Sequence, residues 1–515
     1  MANPFPGIKY QVESAIYDAK SQLDEDNFYN QRQGHPSELT RKLTYILGDY
    51  NKNYPISLMT MGGIGYEGNA LKRAAVEIDD PQFTYPVMGR IEKASIITFT
   101  QYTATDKPGV GNSEFYLYFS DNWIKRYFII QSARGVQAWV AKDPELVGGY
   151  WKYTCILDPA LPTDSCPISE VSENASWIAL NTAVSESRSR STETGMAMPG
   201  LYKNQMGFMR AGMSWAGNSA NKIMKIKVET DKGETDVWMD YFMWQFEMKW
   251  LAQCENAYWY SRYNRQINGE VLTKDLITGK VIMRGSGLLE QIQNKSSYSS
   301  LTYQFLTNQI GDALFGQSDT ANMSITLHTG RGGMREFDKA IKAAGGTILQ
   351  NLGSGAGNIA DKFVTGTGYH LALGGYFDQF YHIDGYYIKV KHNPIFDMGE
   401  VAMGQQAGGY VHPETGWPLE SYRMVFIDDA DYDGQPNIQH VAQKGRSFLH
   451  GVVPGLTPMP KSLQVMNKSF NVDQESSVSM LTTDIDESLY TRFKSCGIQI
   501  LRANRCFDMV CIAGQ

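Results

Sequence analysis

A chain of 515 residues with 47 basic and 54 acidic side chains carries a formal net charge of −7. No Lys/Arg-rich block stands out, which argues against a sequence-reading DNA binder. Hydrophobic residues make up 42% and charged residues 20%, the profile of a folded chain and not a disordered one, with length for about three domains.

Residues 1–55 read as an arm. Apolar positions are sparse (Ile16, Leu23, Phe28), and one short helix, Glu38 to Leu47, is ended by Gly48. The start lacks a basic n-region and an apolar h-region, so it does not read as a secretory signal. From about 60 to 200 the signals are strands and turns. Ala94–Thr100, Glu114–Phe119, Arg126–Ile130, Val136–Val140 and Tyr150–Leu157 are β-rich, with Pro108-Gly109 and Gly148-Gly149 as turns. These predict an extended antiparallel arm or a small sheet, not an α/β unit.

Ile223–Glu229 predicts a strand leading through Asp231-Lys232-Gly233 into a long helix. That helix, Val237 to Gln266, contains ten aromatic residues in thirty. Its apolar residues form two nearly opposite stripes at helical spacing. Val237, Tyr241, Trp244, Met248, Leu251, Ala252 and Trp259 make one; Met239, Met243, Phe246, Trp250 and Ala257 make the other. A helix apolar on both sides is sandwiched between layers, a structural beam and not a catalytic scaffold. Trp238, Tyr241, Trp244, Phe246, Met248, Trp250 and Trp259 are therefore the candidate structural residues.

Further on, Met334–Ile341 predicts a helix closed by Gly345-Gly346, and Tyr386–Phe448 is mostly strand and turn. Asp486–Ser495 predicts a helix ended by Gly497. The strand Ile498–Leu501 and the apolar stretch Met509–Ile512 follow. No internal repeat is found, and no apolar run approaches the roughly 20 residues of a membrane span.

Motifs that carry chemistry are scarce. Gly63–Gly68 matches GxGxxG without the strand and helix a dinucleotide site needs. The run Asp429-Ala430-Asp431-Tyr432-Asp433-Gly434 copies the first half of a calcium loop, but His440 stands where a bidentate Glu belongs. Asp429, Asp431 and Asp433 are thus a weak calcium candidate, and a polar turn between strands is the plainer reading. Seven of the eight histidines lie between His328 and His450, none paired at ligand spacing. The six cysteines contain no CxxC pair and read as free buried thiols. No catalytic residue, cofactor site or metal site is nominated.

Several blocks together do point to a family. They are Leu327–Phe337 (LHTGRGGMREF), Val390–Asp397 (VKHNPIFD), His412–Gly416 (HPETG), Glu420–Asp428 (ESYRMVFID), Asn437–Gln439 and Lys444–Ser447. In this order and spacing the chain resembles the major capsid proteins of crAss-like tailed bacteriophages. The resemblance implies an α+β fold, the tailed-phage capsid fold named after phage Hong Kong 97. On that basis 1–55 is expected to be an N-terminal arm and 56–200 an E-loop with a β-rich insertion. A peripheral domain with a spine helix at 237–266 is expected over 201–350, an axial domain over 351–485, and a C-terminal return over 486–515. It further implies a structural virion protein, not an enzyme, that self-assembles into hexamers and pentamers forming an icosahedral shell. The implied partners are other copies, a portal, decoration proteins and scaffolding. Double-stranded DNA is enclosed without sequence-specific binding, and no membrane is involved. Against this stand a portal or tail component, which would need longer helices, and a carbohydrate-active enzyme, suggested by the many Tyr and Trp.

Overall fold

The computed structural model describes residues 76–89, 91–158, 161–186, 193–217, 223–230, 233–315, 324–352, 379–381, 387–428, 430–432, 435–446, 449–455 and 485–514. The chain divides into two compact units, Thr84–Lys203 and the remainder, Met1–Phe83 with Asn204–Gln515.

Thr84–Lys203 contains a closed barrel. Glu114–Phe119, Ser95–Phe99, Ser176–Thr182, Phe128–Ser132, Gln137–Val140 and Tyr150–Leu157 pair in that order, and the last pairs back to the first. Closure leaves no sheet edge in the ring, where the sequence predicted an open arm or small sheet. Along Glu114–Phe119 and Tyr150–Leu157 the inward side chains Phe115, Leu117, Phe119, Tyr153 and Cys155 are buried, and Trp177 joins them from the opposite wall. A seventh strand, Glu145–Val147, joins Tyr150–Leu157 through Gly148 and Gly149, whose φ of +62° and +88° suit a two-residue hairpin turn.

The larger unit holds two sheets. The first is built on its longest strand, Glu487–Ile500, which pairs antiparallel with Gly207–Ala216 over ten residues on one edge. Leu449–Val453 and Ile438–Gln443 share the other edge, and Val76–Ile78 pairs parallel to Ile438–Gln443. The helix predicted at Asp486–Ser495 is therefore wrong. Its buried positions alternate, but they are Ser488, Tyr490, Arg492 and Lys494, while Leu489 is exposed. Polar side chains at inward positions hide the two-residue period from a hydrophobicity reading.

The second sheet runs Asn294–Tyr298, Phe507–Cys511, Met424–Asp428, Ser324–Thr329, Tyr387–His392, Gln379–Tyr381. It is mixed, with parallel pairing at its first and fourth junctions. Two long helices accompany the sheets: α1, Trp238–Tyr260, and α2, Arg331–Leu352. The span predicted for α1 ran to Gln266; the helix instead ends at Tyr260, and Gly287 N–H donates to Ser261 O at 2.8 Å to close a loop over 261–286. Helix α2 continues through Gly345-Gly346, which the sequence reading took as its end. Glycine keeps its N–H and costs only about 1 kcal/mol against alanine in a helix, so it does not enforce a stop. A helix at Glu400–Ala407 also interrupts the stretch read as strand and turn.

Candidate functional site

The C-terminal half of helix α1 packs against residues of both sheets. Trp250, Cys254, Tyr258 and Trp259 are buried with Cys496, Ile498 and Ile500 of the long strand and with Val425, Ile427 and Ala442. One turn earlier, Phe246 meets Tyr490 edge-to-face at 5.7 Å. Glu247 accepts two hydrogen bonds from the Arg492 guanidinium, at 2.9 and 2.7 Å, and Arg492 is wholly buried. Arg492 Nε also donates to the Tyr490 hydroxyl at 2.8 Å. A buried fork–fork pair with Nε also bonded fixes the register of helix on strand.

A smaller cluster gathers Met248 and Leu251, both buried, with half-buried Trp244 and Ala252. Trp244 stacks on Tyr241 at 6.2 Å, and Gln245 Nε2 donates to the Tyr241 hydroxyl at 2.7 Å. Of the residues nominated from sequence, Trp250 and Trp259 thus share the main core, Phe246 flanks it, and Tyr241, Trp244 and Met248 belong to the second side. The Trp238 side chain lies outside the described residues. So do Asp429, Asp433 and the Asp431 side chain. The Asp431 backbone is in a two-residue strand paired with Gln435–Pro436. Gly63–Gly68 and the short helix at 38–47 also lie outside them.

The C-terminal end of α1 reaches the residues that carry the family resemblance. Trp259 lies edge-on to His328 at 5.6 Å and to Phe396 at 5.2 Å. There the separate blocks meet at the start of α2. The Asp397 carboxylate accepts Arg331 N–H at 2.9 Å, the Ser421 hydroxyl at 2.6 Å and contacts His392 Nε2 at 2.5 Å. Ser421 Oγ accepts Gly332 N–H at 2.9 Å, and Thr329 Oγ1 donates to Arg423 O at 2.6 Å. Asp397 thereby caps α2 from another segment, placing negative charge at the helix's positive end. Arg423 binds Asp508 at 2.8 and 2.7 Å and Glu420 at 2.9 Å, tying the same place to the last strand.

Three glycines make this approach possible. A Cβ on Gly330 would sit 2.4 Å from Asp397 Oδ1, on Gly332 2.7 Å from the Tyr422 ring, and on Gly333 1.9 Å from Thr329 Oγ1. The motif is a packing device. We expect Gly332→Ala to lose about 1–3 kcal/mol in urea unfolding. Alanine is the better helix former by about 1 kcal/mol, so unchanged or raised stability would refute the close contact with Tyr422.

The Ser421, Asp397 and His392 set is not a catalytic triad. The carboxylate stands between serine and histidine, so the imidazole cannot take the hydroxyl proton as a base. Among the described residues, no three His, Cys, Asp or Glu side chains are grouped to hold a metal ion. All six cysteines are free and buried.

Two histidines give the fold an acid limit. The ring nitrogens of His440 are sealed from solvent and have no hydrogen-bond partner among the described residues, and Nδ1 of His328 is likewise. Burial, then the charge of Lys494 near His440 and of Lys391 near His328, lowers both pKa values to about 3. The unfolded chain binds these protons near 6.5, so stability is full above that pH and falls as pH drops toward 3. The expected loss at pH 5 is about 2 kcal/mol per histidine. Urea midpoints from pH 7 to 4 measure it, and His440→Phe should flatten the slope; an unaltered slope would remove His440 from the account.

What these residues build is a helix–sheet frame with a motif-rich junction, the organisation of a structural protein. The chain belongs to the crassvirus major capsid protein family, whose model matches residues 18–510. It is 22% identical over 398 residues to the major capsid protein of Bacteroides phage crAss001, covering 72% of this chain and 74% of that protein. Among solved structures it is similar to the capsid of cyanophage P-SCSP1u, with a TM-score of 0.31 and 8% identity over 65% of this chain and 81% of that one. For Gordonia phage Cozz the TM-score is 0.30, with 10% identity over 65% and 79%. By its family the chain is a virion capsid protein, here with an α+β fold, and its role is structural, not enzymatic. No described helix is long and apolar enough to cross a membrane.

Proposed function

We propose that copies of this chain group into hexamers and pentamers and close an icosahedral shell around double-stranded DNA. The family match across residues 18–510 carries this reading. One body in many quasi-equivalent places needs many modest interfaces, together exceeding the roughly 2,000 Å² of ordinary stable complexes. We assign 1–55 to the arm, 56–200 to the E-loop with its insertion, 201–350 to the peripheral domain, 351–485 to the axial domain and 486–515 to the C-terminal return. The barrel within Thr84–Lys203 supports an enlarged E-loop, and α1 is the spine. Trp238, Tyr241, Trp244, Phe246, Met248, Trp250 and Trp259 of α1 are its structural residues.

Assembly takes place in the bacterial host cytoplasm with scaffolding, a portal at one vertex and decoration proteins. With a net charge of −7 the shell encloses DNA without binding it tightly or reading its sequence. Electron microscopy of the expressed protein tests this. Closed icosahedral shells are expected; portal-type rings or persistent monomers would sink it.

A further inference from the structure

Between Ser261 and Gly287 the chain makes two tight turns and returns to its starting point. At the first, Gln266 N–H donates to Glu270 O at 2.8 Å and Asn268 Oδ1 accepts Glu270 N–H at 3.0 Å. At the second, Asp275 accepts Ile277 N–H at 3.0 Å and the Thr278 hydroxyl at 2.6 Å, and Gly279 N–H donates to Asp275 O at 2.8 Å. The stems are tied as well: Arg265 Nε donates to Gln205 Oε1 at 3.0 Å, and Asn264 Oδ1 accepts Arg284 N–H at 3.0 Å. Hydrogen bonds of its own subunit thus fix the loop before any partner arrives, which lowers the entropy cost of docking.

The turn chemistry resides in Asn268, Gly269, Asp275, Thr278 and Gly279; nothing in either turn calls for an aliphatic tip. Yet Ile267 is fully exposed at the first tip, and Leu276 and Ile277 are 100% and 94% exposed at the second. Single exposed aliphatics are ordinary on a protein surface. Three such side chains at the two tips of one fixed loop, with Leu276 and Ile277 adjacent, are more than scattered exposure and point to an interaction site.

We propose that this loop is a plug by which one subunit inserts its two aliphatic tips into another copy of the same chain. The proposal rests on the shell-forming reading, in which each subunit is surrounded by copies of itself. Charge supports that occupant. Residues 261–286 carry five basic and two acidic side chains, a net +3, which leaves the rest of the chain at −10 from the total of −7. A basic collar around an apolar tip is drawn to the acidic remainder of a second copy.

Because every native cysteine is buried, Leu276→Cys can be labelled selectively with a benzophenone maleimide and illuminated in assembled particles. A product of twice the subunit mass is expected. A product joined to a different virion protein, or none, would overturn the proposal. The double variant Leu276→Asp/Ile277→Asp should leave the melting temperature of the unassembled subunit unchanged while particle yield falls about tenfold. Normal yield, or a lowered melting temperature showing that the tips belong to their own core, would also overturn it. If the unsubstituted chain forms no shells, the shell-forming reading itself fails, an outcome distinct from shells that form without the plug.

Discussion

Arg492→Ala is expected to destabilise the subunit by about 3–5 kcal/mol, the cost of breaking a buried ion pair from one side. The guanidinium is wholly buried and holds Glu247 by two bonds, and its loss leaves a carboxylate only 21% exposed facing an apolar bed. The double variant Arg492→Met/Glu247→Met removes both charges and keeps volume, so it should recover most of the loss. Urea unfolding followed by circular dichroism measures both. A loss under about 1 kcal/mol for the single variant, or no recovery in the double, would show that the pair does not lock helix to strand.

The second large effect separates the two sides of α1. Trp250→Ala removes a side chain 1% exposed at the centre of the core beneath the helix and should cost about 3–5 kcal/mol. Trp244→Ala, on the half-buried second side, should cost nearer the ordinary value of about 1 kcal/mol. Expression of soluble subunit and thermal unfolding should follow that order. Equal losses, or a larger loss at Trp244, would reverse the assignment of the face that rests on the sheet.

Much of this frame was legible in the residues. The β-runs at 94–157 are rich in β-branched and aromatic residues and became barrel strands, because such side chains pack well on a pleated surface. The apolar stripes read over 237–266 announced a buried helix, but Trp259, set opposite Trp250 by its spacing, shares one core with it. Inverted or long-range features were less accessible. Arg492 and Lys494 occupy inward positions, so the longest strand reads as a polar helix until its neighbours are known. The junction at Asp397 depends on Gly330 meeting Asp397 and Gly332 meeting Tyr422, 67 and 90 positions later, while Gly333 makes room for Thr329. Sequence order displayed those blocks as a family signature, but only packing explains why glycine is required.

Strand order also imposes a schedule on biosynthesis. Glu487–Ile500 is the central strand of one sheet, and Phe507–Cys511 sits between two strands of the other. Both lie after every other strand of their sheets in chain order. At about 5–20 residues per second, Val76–Ile78 leaves the ribosome about 20–80 s before Glu487–Ile500, and in that interval neither sheet can close. A nascent chain therefore holds two incomplete sheets until these strands emerge. Their arrival is the step that completes the fold of the larger unit.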